Sequence, residues 1–182
     1  MMLTKIPHNS TFTIFRWVAP VPLTGTPTIT FKMTAGDQSP ALSVLHASAT
    51  VTAIGNNRSE LAISPAALNF SGTSGEWGNA WLETASDSAY PVLVTRITGT
   101  TAHLAEPLPR GIDLSSTASL EWATWYCTPG VAITGTLGAY AWQVSYTARY
   151  SADTPSSSGQ DDGLISIVRR PFNAGLNHYD LC

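Results

Sequence analysis

Charge is scarce in this chain of 182 residues: Asp, Glu, Lys and Arg make up 12% of it, and the net charge is −3. An average soluble protein has about 25% charged residues. Only two residues are lysine, and the seven arginines are spread along the chain. Because nucleic-acid binding depends on clustered Lys and Arg, we expect no direct binding of DNA or RNA. The low charge has two explanations, a surface rich in Ser and Thr or a surface covered by neighbouring proteins.

Cysteines and long apolar runs are also rare. Cys127 lies in a strand-like run and Cys182 is the last residue, so the two do not form the dense disulfide framework of a small secreted domain. The start of the chain has no apolar core of a signal peptide. No stretch approaches the roughly 20 apolar residues that a membrane span needs. We therefore expect no membrane partner.

The motifs of common enzymes are missing as well. The sequence has no phosphate-binding loop, no dinucleotide fingerprint and no pair of histidines at metal-ligand spacing. The residues with side chains capable of acid–base or metal chemistry are His8, His46, His103, His178, the pair Asp161-Asp162, Glu83, Glu106 and Glu121. Nothing in their spacing singles out a catalytic pair. We expect a non-enzymatic chain without catalytic residues, cofactor, metal ion or small-molecule substrate.

Serine, with 19 residues, and threonine, with 23, fill the place of charge, and apolar residues repeat with a period of two. Residues 28–34 and 139–150 alternate most regularly, while 92–104 predicts a hairpin that turns at Gly99. Residues 42–54 and 118–127 each predict one long strand, and 130–137 a shorter one. About eight strands separated by turns predict an all-β fold, an antiparallel β-sandwich or barrel with a C-terminal extended arm.

The composition changes after residue 150. Residues 151–163 are rich in Ser, Gly and Asp and predict a flexible linker between a domain at 1–150 and an arm at 164–182. The apolar run in this arm has two interpretations: it folds back as an edge strand of its own domain, or it adds a strand to a neighbouring subunit. Under the second interpretation the interface residues are Leu164, Ile165, Ile167, Val168, Arg169, Arg170 and Phe172.

Tryptophan is frequent, with six residues. Ring faces stack on the C–H bonds of sugars, so an aromatic platform would indicate a carbohydrate-binding module; the candidates are Trp77, Trp81, Trp122 and Trp125. Strand alternation places Trp122 and Trp125 on opposite faces, which favours packing in a core or an interface for most of them.

Three stretches carry a resemblance to a known class: residues 96–109 (RITGTTAHLAEPLP), the aromatic strand at 142–146, and the tail at 163–181 with its Arg-Arg-Pro-Phe. The half of the chain from Val92 onward resembles small structural proteins of tailed bacteriophages, especially those of the head–tail junction. The resemblance implies a virion protein, made in the bacterial cytoplasm, that forms a ring in the neck, connector or tail with copies of itself and neighbouring virion proteins. The alternatives are a capsid decoration (cement) protein and a carbohydrate-binding β-sandwich.

Overall fold

The computed structural model describes residues 4–10, 15–44, 47–64, 78–85, 88–114, 118–149 and 157–169. Within these residues the chain forms strands and one helix of four residues. The elements are β1 (Thr4–Pro7), β2 (Phe15–Val18), β3 (Thr28–Lys32), β4 (Ser43–Val44), β5 (Ala49–Ile54), β6 (Glu60–Ser64), β7 (Gly78–Ala85), β8 (Ser88–Thr98), β9 (Thr101–Leu104), β10 (Ser119–Trp122), β11 (Thr124–Cys127), α1 (Val131–Thr134), β12 (Gly138–Ala148) and β13 (Ser157–Val168). The expected all-β fold is confirmed.

Six strands close into an antiparallel barrel in the order β10-β5-β6-β9-β8-β7. Each barrel strand alternates, so that its apolar residues fill the interior. Leu61, Leu82, Val94 and Leu120 are fully or almost fully buried there, and Trp122 joins the same cluster. The predicted hairpin is confirmed as β8 and β9, which turn at Gly99 with φ of 58°. That left-handed backbone favours glycine.

The other strands form a sandwich of two sheets. One sheet has the order β1-β13-β12-β3 and the other β2-β11-β4; all pairs are antiparallel except β1 with β13. The sheets share one core, in which Phe15 of the smaller sheet makes edge-on ring contacts with Phe31 and Trp142 of the larger sheet, with centroids 5.4 Å and 5.2 Å apart. Such edge-to-face pairs stabilise a core beyond their buried area.

Two predicted long strands each divide between the barrel and the sandwich. Residues 42–54 form β4 in the sandwich and then β5 in the barrel, and residues 118–127 form β10 in the barrel and then β11 in the sandwich. At the second crossing, the backbone of Ala123 bonds to both parts: its N–H donates to Asn79 O and its carbonyl accepts from Ala19 N. The barrel is therefore an insertion of residues 49–122 between the sandwich strands.

The predicted linker is largely corrected by the structure. Residues 157–163 form the first half of β13, which pairs with β12 from Ala148↔Ser157 through to Gly138↔Ile167. The small residues that suggested flexibility have a packing role. An ideal Cβ on Gly159 would lie 2.3 Å from the ring of Tyr146, and one on Gly163 would lie 2.6 Å from the ring of Trp142. Residues 151–156 of the predicted linker lie outside the described residues.

The predicted strand at 130–137 is also wrong, because residues 131–134 form the short helix α1. The carbonyl of Gly130 accepts from the N–H groups of Ile133 and Thr134, at 2.9 Å and 3.0 Å. This turn buries Ile133 in the sandwich core. The apolar residues of the segment thus serve a helical turn, which a run this short does not distinguish from a strand.

Candidate functional site

The predicted interface segment lies inside the sandwich. Strand β13 is bonded on one side to β12 and, through residues 165–168, on the other side to β1. Ile165 and Ile167 are buried in the core, whereas Leu164 is 40% exposed on the outer face. Of the two interpretations of this run, the structure shows the fold-back onto its own domain, as a strand that is paired on one edge with β12 and, from Ile165 onward, on the other edge with β1. Of the other predicted interface residues, Arg169 is exposed directly after β13, and Arg170 and Phe172 lie outside the described residues.

Two of the three glutamates considered for chemistry come together around Arg149. Glu83 on β7 and Glu121 on β10 lie on the outer wall of the barrel, and Arg149 directly follows β12 of the sandwich. The guanidinium contacts Glu83 Oε1 through Nη2, and Glu121 through both terminal nitrogens, at 3.3 Å (Nη1 to Oε1) and 2.8 Å (Nη2 to Oε2). The arrangement cross-links barrel and sandwich, and the arginine occupies the space between the carboxylates. The third glutamate, Glu106, is exposed elsewhere on the barrel.

The described histidines are held separately. His8 Nε2 lies 2.9 Å from the carbonyl oxygen of Gly135, while His103 lies on the barrel, 3.4 Å from Glu60 and 3.4 Å from Arg96. Among the described residues, no three His, Cys, Asp or Glu side chains are placed to hold a metal ion together. His46 and His178 are outside those residues.

Cys127 is a free cysteine in the sandwich core. Burial raises the pKa of its thiol from 9.0 to about 11. The thiolate, which is the reactive form, is disfavoured in such surroundings. The residue therefore acts as a small apolar group in the packing. Cys182 lies outside the described residues.

The tryptophans do not form one platform. Trp122 belongs to the barrel core, and Trp17 and Trp142 belong to or pack against the sandwich core. Trp81 and Trp125 are half-buried where barrel and sandwich meet. Trp77 is outside the described residues. Trp122 and Trp125 are separated as expected, but not as opposite faces of one strand: Trp122 ends β10 and lies in the barrel core, whereas Trp125 lies on β11 and packs against the sandwich core.

A crevice of about 220 Å³ lies at this junction. Trp81 and Glu121, directly opposite each other on β7 and β10, line it from the barrel wall. Trp125 on β11, Val44 of β4 and Leu23 line it from the sandwich. We call this space the junction crevice. Trp81 Nε1 is buried and has no hydrogen-bond partner among the described residues, which is uncommon for a buried donor.

A second, larger space adjoins the first and shares Ala19, Trp81 and Ala123 with it. This groove of about 540 Å³ is lined by Val18, Tyr90, Leu93 and several prolines, and we call it the apolar groove. Val18 is 45% exposed, Leu93 47% and Tyr90 37%. Contiguous exposed apolar groups mark interaction surfaces more often than isolated ones do.

No family model, curated protein or solved structure matches the chain. In the described part of the chain, no helix is long and apolar enough to cross a membrane.

The groove residues are not predictable from the sequence, because they come from separate strands. Val18 ends β2, and Tyr90 and Leu93 lie on β8, far along the chain. Residues 92–94 are all apolar, so the sequence does not show that Leu93 faces outward while Val92 and Val94 are buried.

Proposed function

We propose that the chain is a non-catalytic virion structural protein that assembles as a ring at the head–tail junction of a tailed bacteriophage. The low charge and the phage-like stretches at 96–109, 142–146 and 163–181 support this proposal. Its partners are copies of itself and neighbouring virion proteins, and its place is the virion.

The observation that carries the proposal is the apolar groove. The groove exposes apolar area at Val18, Tyr90 and Leu93. The chain has few charges, and charge repulsion is what normally prevents such apolar surfaces from associating. Interfaces are enriched in aromatic residues and depleted in charge at their centre, and this groove has Tyr90 and Trp81 with one charged residue, Glu106. A ring forms when such a heterologous contact closes by rotation.

Leu93→Asp tests this surface. The residue is 47% exposed, so the substitution leaves the barrel core intact and places a charge in the groove. We expect the wild-type chain to form a defined oligomer in sedimentation velocity and native mass spectrometry, and the variant to shift to monomer by at least about tenfold in dissociation constant.

The matched control is Val131→Asp, a residue 53% exposed on α1 and outside the groove. Leu164→Asp, on the outer face of β13, tests what remains of the predicted arm interface. A wild-type chain that stays monomeric at high concentration and is not incorporated into particles would overturn the proposal.

Copy number separates the ring from the capsid decoration alternative. Quantitative mass spectrometry of purified particles should find few copies for a ring and hundreds for a protein that covers the shell. A count in the hundreds would replace the neck assignment while keeping the structural role.

A further inference from the structure

We infer that residues 170–182 of one copy of the chain, called here the C-terminal segment, bind in the apolar groove of a neighbouring copy. This inference rests on the proposed function, since it names the segment that joins neighbours in the ring. The C-terminal segment lies outside the described residues. Its sequence, the chemistry of the groove and the position at which the described chain ends support the inference.

The groove has the chemistry of a site for an apolar peptide. Val18 at the end of β2 lines it from the sandwich, and Tyr90 and Leu93 on β8 line it from the barrel. All three expose apolar area, and Glu106 is the one charged residue among the described residues of its lining. Its volume of about 540 Å³ is within the range of roughly 300–1,000 Å³ that is usual for ligand pockets. Several apolar side chains can therefore bind there without burying an unpaired charge.

The C-terminal segment supplies side chains of this kind. Its larger apolar residues are Phe172, Leu176, Tyr179 and Leu181. Its charged residues are Arg170, which precedes them, and Asp180. Arg170 is opposite in charge to Glu106 of the groove, and complementary charges fix the register of an interface more than they add affinity. The segment and the groove thus match in both apolar character and charge.

The described chain ends far from its own groove. Val18 of the groove follows Trp17, and the ring of Trp17 contacts the ring of Tyr146, with centroids 5.4 Å apart. Tyr146 pairs with Gly159 of β13. From Gly159 the strand continues to Val168, which is a rise of about 30 Å along the sandwich. The C-terminal segment therefore begins at the end of the sandwich that is remote from the barrel.

This distance favours the groove of a neighbour over the groove of the same copy. The C-terminal segment spans at most about 45 Å when fully extended. Reaching back to its own groove would use about 30 Å of that length and leave about four residues to bind. Phe172 and Leu176 would then lie outside the groove. A neighbouring copy removes this limit, and a head-to-tail contact of this kind closes into a ring.

Variants of the whole chain test the contact in solution. Leu93→Asp damages the groove and keeps the segment, whereas Phe172→Ser combined with Leu176→Ser damages the segment and keeps the groove. We expect the self-association of each variant to weaken by at least about tenfold in dissociation constant. An equal mixture should form one-to-one pairs, because one intact segment and one intact groove remain. Native mass spectrometry with one variant ¹⁵N-labelled should find these pairs at least about ten times as abundant as pairs of either variant with itself.

The matched controls leave the apolar residues of both surfaces in place. Val131→Asp adds the same charge outside the groove, and Asn173→Ser combined with Asn177→Ser changes two polar residues of the C-terminal segment. Both controls should self-associate within about twofold of the wild type. Thermal unfolding verifies that each variant is folded.

A fluorescent peptide of residues 170–182 provides a second measurement. By fluorescence anisotropy, it should bind the variant with the damaged segment, whose groove is intact, at least about tenfold more tightly than it binds Leu93→Asp. Equal binding to the two variants, or no binding to either, would show that the groove is not the site of this segment.

The outcomes separate this inference from the proposed ring. An oligomeric wild type whose segment variant assembles equally well, or a mixture that forms no one-to-one pairs, overturns the inference and leaves the ring to another surface. A wild-type chain that stays monomeric at high concentration overturns both proposals.

Discussion

The barrel and the sandwich are both all-β, but the chain builds them differently. The barrel takes its strands from one continuous segment, residues 49–122, whereas the sandwich joins β1–β4 from the beginning of the chain with β11–β13 from its end. The barrel core is mainly aliphatic, and the sandwich core contains Phe15, Trp17, Phe31 and Tyr140. Closing the sandwich therefore requires contacts across more than a hundred residues, which cost more chain entropy than local pairing.

The packing tolerances also differ. In the sandwich, large rings lie directly over glycines of the neighbouring strand, and the polar Asp161 accepts a hydrogen bond of 2.8 Å from Trp17 Nε1. In the barrel, inward residues of intermediate size alternate around a closed sheet. The comparison shows that the sandwich depends on a few specific pairs, whereas the stability of the barrel is spread over many similar contacts.

Ending the chain at Tyr150 should have the largest effect on the sandwich and leave the barrel folded. This removes β13, which lies between β12 and β1 and provides Ile165 and Ile167 to the core. We expect the sandwich to unfold and the barrel, which keeps all six strands, to retain structure. Hydrogen exchange should show lost protection in β3 and β12 and retained protection in β5–β10. Full protection of β12 in the shortened chain would contradict this expectation.

A single methyl group should separate the two packing modes. Gly159→Ala places a Cβ 2.3 Å from the ring of Tyr146, so the ring must move, at a cost of about 1–3 kcal/mol in the free energy of unfolding. Gly111→Ala is the matched control, since a Cβ there meets nothing within 4 Å. Urea unfolding of both variants measures the difference. Equal stabilities would show that the Tyr146–Gly159 contact is not restrictive.

The ion pairs that connect the barrel to the sandwich should contribute less to the free energy of unfolding than the packing at Gly159. Arg149→Gln removes the cation between Glu83 and Glu121 and leaves two carboxylates facing each other. Because these side chains are partly exposed, we expect a loss of about 1–2 kcal/mol. Adding Glu121→Gln should restore part of it. Differential scanning calorimetry measures the stability and reveals whether barrel and sandwich begin to unfold separately.

The control for this pair of variants is Lys32→Gln. It breaks the ion pair between Lys32 and Asp37, which lies on the surface of the sandwich and does not connect it to the barrel. Both side chains are about half exposed, at 52% and 51%, so the change in the free energy of unfolding should stay within about 0.5 kcal/mol. An Arg149→Gln variant that behaves like this control would show that the cross-link contributes nothing to the joining of the two parts.

Local patterns predicted the elements whose cause is local. The alternation at 139–150 and the turn at Gly99 follow from strand pleat and backbone sterics, and both appear as predicted in β12 and in the β8–β9 hairpin. The prediction of a linker at 157–163 was wrong because the cause of its structure is not local. Its glycines resemble a linker in composition, but they are required by Trp142 and Tyr146, which lie on a different strand.

The candidate sites were less predictable than the strands. Arg149 contacts Glu83, which is 66 positions away in the sequence, and Glu121, which is 28 positions away. No spacing rule relates such residues, because a sheet brings them together only after its register is set. The apolar groove and the junction crevice are likewise formed by several segments, and neither had a motif in the sequence.

Composition and periodicity were enough to predict that this chain is all-β, that it has few charges, and which residues alternate between the two faces of a strand. These properties depend on composition and on the period of two, which neighbouring residues express directly. Three features are visible only in the folded chain: residues 42–54 and 118–127 cross between barrel and sandwich, β13 is a central strand, and Trp81 and Leu93 line open spaces. Those outcomes depend on which distant strands pair, and the free energy of that pairing is absent from any local segment.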